Sequence, residues 1–200
     1  MESDLEKISE QLKWIGLGVL AEAQKNAFYH HFMISIDTSI LSVLQTVHAA
    51  EFIIKACIAE VEPLAIFSEI PKDVKSNQFK LDFDSLFEEG RTLKFRELPK
   101  KLEQVRNYKI KDNERYYEFG RLRNGIQHFA VPDLDLTQLT GEFIYKIIDP
   151  IIGDFWNEYA VEYCNDEELE YNFLPTLVRR EIDFRCPPKW KKYLIEAKEN

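Results

Sequence analysis

Apolar positions recur at helical spacing along most of the chain. Leu5, Ile8, Leu12, Ile15, Val19 and Leu20 form one stripe and predict a first amphipathic helix over about 4–26. Ile40, Leu41, Leu44, Val47, Ile54, Cys57, Ile58 and Val61 form a second, on a helix that Asp37 or Thr38 can cap and Pro63 stops. Residues 63–80 hold Pro63, Pro71, Ser76 and Asn77 and read as irregular, with a short helical turn over 64–67. Short helices are expected near 82–89 and near 98–107, the latter with Pro99 in its first turn. The next helix starts at Asp112 or Asn113, carries Phe119, Leu122, Ile126 and Phe129 on its stripe, and ends before Pro132. A last long helix, with Leu139, Phe143, Ile147, Ile151 and Phe155 inward, runs to about Tyr163, kinked or broken by Pro150. No internal repeat and no set of alternating strands accompanies this pattern. It predicts an all-α bundle over 1–162 and a less regular C-terminal extension, 163–200, packed on it, with a short strand over 177–184.

At 200 residues, 45% apolar and with 7 Gly, the chain can build a core, which excludes a disordered or low-complexity protein. No uncharged apolar run approaches the roughly 20 residues that cross a bilayer. The acidic start Met-Glu-Ser-Asp is unlike a signal peptide, so a cytoplasmic protein with no membrane contact is expected. Cys57, Cys164 and Cys186 are odd in number and widely spaced, which predicts reduced thiols rather than a disulfide framework or a cysteine zinc site.

The net charge of −9 argues against indiscriminate coating of nucleic acid, but the charge is segregated. From Arg91 to Arg123 eleven basic residues face five acidic ones, a local excess of six positive charges. Such a segment on an acidic body is either a solvated, charge-rich pair of helices or a patch that binds a few phosphates at a defined place, with Lys109, Lys111 and Arg115 as RNA-binding candidates.

The chemistry concentrates in Arg121-Leu122-Arg123-Asn124-Gly125-Ile126-Gln127-His128-Phe129. An imidazole that titrates near neutrality can move the proton of a 2′-hydroxyl, and a guanidinium can hold the charge that develops on the attacked phosphate. Arg123 and His128 are the candidates, with Asn124 adding a hydrogen bond. On a regular helix they stand about 140° apart, so convergence requires the helix to deform, for which Gly125 offers a place, or a second copy to complete the site. Arg121 shares a face with Asn124 and His128 and rivals Arg123 as the phosphate ligand. On the second helix, His48, Glu51 and Lys55 form a polar line: either Glu51 and Lys55 pair at the surface and His48 is a core or interface histidine, or the three support a site. Tyr116-Tyr117 can stack on bases, although burial of at least one ring is expected. The adjacent His30-His31 make a poor metal pair, and Gly16-Leu17-Gly18 reads as a packing contact. No metal or cofactor motif appears.

Arg123-Asn124 and His128 fit the R-x4-6-H pattern, with a polar residue directly after the arginine, and on these residues the chain resembles the HEPN superfamily (higher eukaryotes and prokaryotes nucleotide-binding) over about 35–160. The segment His48–Ala56, with Glu51 and Lys55 among aliphatics, is similar to the helix that precedes the motif helix in many bacterial members. The resemblance implies a helical bundle that dimerises with its motifs across a cleft and acts as a metal-independent endoribonuclease on single-stranded or loop RNA, leaving a cyclic phosphate. It implies a toxin–antitoxin or phage-defence setting, with an antitoxin or a nucleotidyltransferase as partner. Arg123 and His128 would be catalytic with Asn124 supporting, and Glu51 would face the motif; Arg121 and His48 are supporting candidates by the helix spacing above. The family also contains inactive members, so a binding module for a partner protein or nucleotide is the alternative.

Overall fold

Two long helices, α1 (Asp4–Phe28) and α2 (Ile36–Ala59), lie along one another, and the rest of the chain is built around α2. The computed structural model describes residues 4–28, 36–70, 86, 88–131, 133–164 and 167–199. The two helices approach closely at Gly16, where a Cβ would stand 2.9 Å from the Ile53 side chain, so this glycine serves packing. Val43, Val47, Ile53, Ile54 and Ile58 of α2 are fully buried, each contributing about 1.5–3 kcal/mol by leaving water. By length and composition alone Thr38–Ala59 is apolar enough to cross a membrane; here it is the central helix, contacted by α1 and by four helices that follow it.

A 3-10 turn (Pro63–Ile66) matches the expected helical turn and leads into β1 (Phe67–Glu69), which pairs antiparallel with β2 (Arg91–Thr92). This small ribbon was not predicted, because two or three residues are too few to show alternation. Of the helix expected over 82–89, residues 82–85 and 87 lie outside the described residues, as do His30 and His31. A second 3-10 turn (Phe95–Glu97) opens α3 (Leu98–Arg106), which stops at Asn107 in the left-handed region at φ 51. Arg106 reaches back to α2, donating to the Cys57 carbonyl at 2.5 Å and to Glu60 at 2.8 Å, a cation where the helix dipole ends negative.

The motif helix, α4 (Asn113–His128), is capped by Asp112, whose carboxylate accepts the Arg115 N–H at 3.0 Å. After the polar turn, α5 (Leu136–Phe143) passes through a π-helical turn (Ile144–Ile148) into α6 (Asp149–Trp156). The widened turn accommodates Pro150, which has no N–H to donate and whose ring would crowd the preceding carbonyls. The sequence stripe is therefore one helix in direction but three in hydrogen bonding, and it gives way to a 3-10 turn over Ala160–Tyr163.

The extension holds α7 (Glu167–Arg179), a 3-10 turn (Pro188–Trp190) and α8 (Lys191–Glu199). The strand expected over 177–184 does not form: Leu177 to Arg179 close α7, and 182–187 is irregular. Phe173, Leu174 and Leu177 lie on one helical face in the main core, and burying that face outweighs the local β-branched character. Glu181, at φ 54, ends the helix as Ile182 N–H bonds the Leu177 carbonyl at 3.0 Å. The described fold is all-α with one minimal ribbon.

Candidate functional site

Between α2 and α4 the segment 91–97 is inserted, and its position is set by one aromatic anchor. Phe95 is buried, stacks on Tyr116 with ring centroids 4.0 Å apart, and its carbonyl accepts the Tyr116 hydroxyl at 2.8 Å. Gly120 permits this approach, since a Cβ there would stand 2.8 Å from the Phe95 ring. Tyr116 is thereby the buried ring of its pair, and Tyr117 stays partly exposed.

The three lengths of chain enclose a cleft of about 760 Å³. Glu51 and Lys55 line it from α2; Thr92, Lys94 and Arg96 from the inserted segment; Tyr117, Arg121, Arg123 and Asn124 from α4. Five cations thus face one carboxylate. The sequence reading brought Arg121, Arg123, Asn124 and Glu51 to this place. It did not single out Lys94 and Arg96; their only signal was membership of the basic run, because no spacing rule ties residue 94 to residue 123.

The surface ion pair between Glu51 and Lys55 does not form. Lys55 is only 8% exposed and donates to Thr92 Oγ1 at 3.1 Å, while Glu51 turns to Arg123, with Oε1 3.8 Å from Nη2. An exposed i, i+4 pair is worth a few tenths of a kcal/mol, so tertiary partners override it. Burial lowers the Lys55 pKa below that of an ordinary lysine, and the Glu51 charge opposes part of that shift.

Arg123 is half-buried and held: its side chain is 20% exposed and Nη1 donates to Gln127 at 3.0 Å. Its Nε is buried with no acceptor. Arg121 is 69% exposed and has Glu118 at 3.6 Å, so it stands at the rim.

The expected deformation at Gly125 is absent. α4 runs unbroken to His128, with no positive φ at Gly125, because the glycine keeps its place in the backbone hydrogen-bond ladder. Arg123 and His128 therefore remain about 140° apart around one helix. His128 is exposed at the helix end beside Phe129, itself 91% exposed, and does not line the cleft. His48 is exposed on α2 and also lies off the cleft, so it is not a core histidine. A Cβ at Gly125 would meet nothing within 4 Å. Gly125→Ala is accordingly expected to stabilise the protein by about 0.5–1 kcal/mol, seen as a rise of about 2 °C in a thermal melt.

The three other RNA-binding candidates fall outside the cleft lining. Lys109 and Lys111 are exposed on the connection before α4, and Arg115 is tied to Asp112 at 3.2 Å and to Glu142. Among the described residues no group of three or more His, Cys, Asp or Glu side chains could hold a metal. The cysteines are free, and burial pushes the Cys164 thiol up to about 12, which makes it a poor nucleophile. No family model, characterised protein or solved structure matches the chain.

Proposed function

We propose that the protein is a HEPN-like, metal-independent endoribonuclease of a toxin–antitoxin or phage-defence type, with single-stranded or loop RNA seated in the cleft. The observation that carries this reading is the gathering of Arg123, Asn124 and Glu51 in one strongly cationic cleft. Arg123, steadied by Glu51 and Gln127, holds the non-bridging oxygens of the scissile phosphate as they gain charge. His128 takes the proton of the 2′-hydroxyl, the 2′-oxygen bonds to phosphorus, and the bond to the 5′-oxygen breaks as that oxygen takes a proton from water, while His128 returns its own to solvent. The products are a 2′,3′-cyclic phosphate and a 5′-hydroxyl. Because His128 does not line the cleft of its own chain, it serves the cleft of a second copy in a homodimer.

The same position of His128 favours a second reading, an inactive module of this fold that binds a nucleotide or a partner protein such as an antitoxin or a nucleotidyltransferase. Incubating wild type and His128→Ala with mixed RNA in EDTA separates the two. Fragments ending in cyclic phosphate are expected from the wild type alone; RNA left intact by both proteins would favour the binding module.

A further inference from the structure

The cations of the cleft stand at two depths. Lys55 and Arg123 are largely withdrawn from solvent, and the Glu51 carboxylate offsets one of their two charges. Lys94, Arg96 and Arg121 are exposed at the rim. Arg121 has Glu118 at 3.6 Å, whereas Lys94 and Arg96 have no ion-pair partner among the described residues. One phosphodiester carries one negative charge and would leave the rim cations uncompensated. The rim is also built rather than loose. Lys94 and Arg96 flank Phe95, which is pinned to α4 by its stack on Tyr116 and by the Tyr116 hydroxyl, and the Lys94 N–H donates to the Glu97 carboxylate at 2.7 Å. The backbone that carries these two cations is thereby held against α4, and among the described residues no carboxylate pairs with either side chain, which leaves both charges available to a ligand.

We propose that the cleft takes two consecutive phosphates of one single-stranded RNA: Lys55 and Arg123 hold the inner one, and Lys94 and Arg96 hold its neighbour. This rests on the cleft being the RNA site proposed above. The 94–96 segment then sets the minimal ligand, since a chain with a single linkage leaves the rim empty. Tyr117, partly exposed on the same wall, offers a ring face for a base between the two phosphates, an interaction that tolerates any base. A nucleoside polyphosphate also presents adjacent charges. The separation of the cations into a buried and a rim group on three chain segments favours phosphates spaced along a chain over phosphates joined directly.

The test is binding, so it does not depend on cleavage. Uridine 2′-O-methyl oligomers of two, three and four nucleotides, labelled at the 5′ end through a phosphate-free linker, carry one, two and three linkages and cannot be cut. Fluorescence anisotropy of full-length His128→Ala protein in EDTA is expected to show affinity rising about tenfold from one linkage to two, and little more for the third. The slope of log affinity against log salt should steepen by about 0.7 at the same step. In Lys94→Ala/Arg96→Ala both changes should vanish while the one-linkage affinity stays, and because both residues are exposed the fold should be kept, as an unchanged melt would verify. In Lys55→Met the one-linkage affinity should fall and the step should persist. A flat series, or a step that survives Lys94→Ala/Arg96→Ala, overturns the proposal even if the protein cleaves RNA. UTP binding as tightly as the two-linkage oligomer overturns it too, as that would make the cleft a nucleoside polyphosphate site. A step that is seen in a protein without cleavage leaves this proposal standing and removes only the catalytic one.

Discussion

Mixing two dead variants should give back activity. Arg123→Ala and His128→Ala are each expected to lose cleavage by about 10²–10⁴-fold, the range for removing a charge-stabilising donor or a general acid–base group. Arg123→Ala takes away a guanidinium that lines the cleft, and His128→Ala takes away an exposed imidazole that the unbroken α4 keeps off its own chain's cleft. In a two-fold dimer, each cleft would draw Arg123 from one copy and His128 from the other. When the variants are mixed, half of the dimers combine one copy of each kind. Each of these has one cleft that lacks both groups and one that is complete, so about a quarter of wild-type activity should return. Cleavage assays of the mixture against each variant alone read this directly. No recovery despite demonstrated subunit exchange would mean that the two residues act within one chain, or do not act together at all.

The largest stability effect is expected from Asp149→Ala. Asp149 is fully buried where the π-turn becomes α6, and its carboxylate accepts Arg185 Nε at 2.6 Å, Arg185 Nη2 at 2.9 Å and the Ala160 N–H at 2.7 Å. Arg185 also donates to the Glu158 carbonyl at 2.8 Å and lies over the Tyr159 ring. This fork joins the extension to the bundle, and Gly153 leaves it room, since a Cβ there would collide with the guanidinium. Removing the carboxylate strands a buried N–H and an arginine with its partner gone. The upper range for breaking a buried pair is about 5 kcal/mol; Arg185 is 39% exposed and can be partly rehydrated, so about 3 kcal/mol is expected. For a chain of this size that lowers Tm by roughly 10 °C. Arg185→Lys should lose most of the same stability, because an ammonium cannot reproduce the two-pronged contact. A thermal melt within 2 °C of wild type for Asp149→Ala would mean that Phe173, Leu174 and Leu177 dock the extension without the fork.

The physical pattern of the sequence was sufficient for the helices that carry whole stripes. α1, α2, α3 and α4 fall within a few residues of where periodicity, Asp112 and Pro99 put them. It failed where a local rule met a stronger tertiary one. The π-turn before Pro150 and the short β1–β2 ribbon have no periodic signature, and the last turn of α7 reads locally as a strand because Leu177, Val178 and Ile182 are apolar in either conformation. The i, i+4 pairing of Glu51 with Lys55 gave way to Thr92 and Arg123, which no spacing places beside them.

The sequence by itself determined an all-α architecture, because helical periodicity and caps depend on neighbours within two helical turns. That Lys55 is a buried cleft residue, that Lys94 and Arg96 line the same cleft as Arg123, and that His128 lies outside the cleft lining of its own chain were decided by the tertiary structure alone. Each follows from the stacking of Phe95 on Tyr116 against Gly120 and from the continuity of α4 through Gly125. Those are contacts between segments distant in the chain, and the outcome of a local preference that only the finished packing could settle.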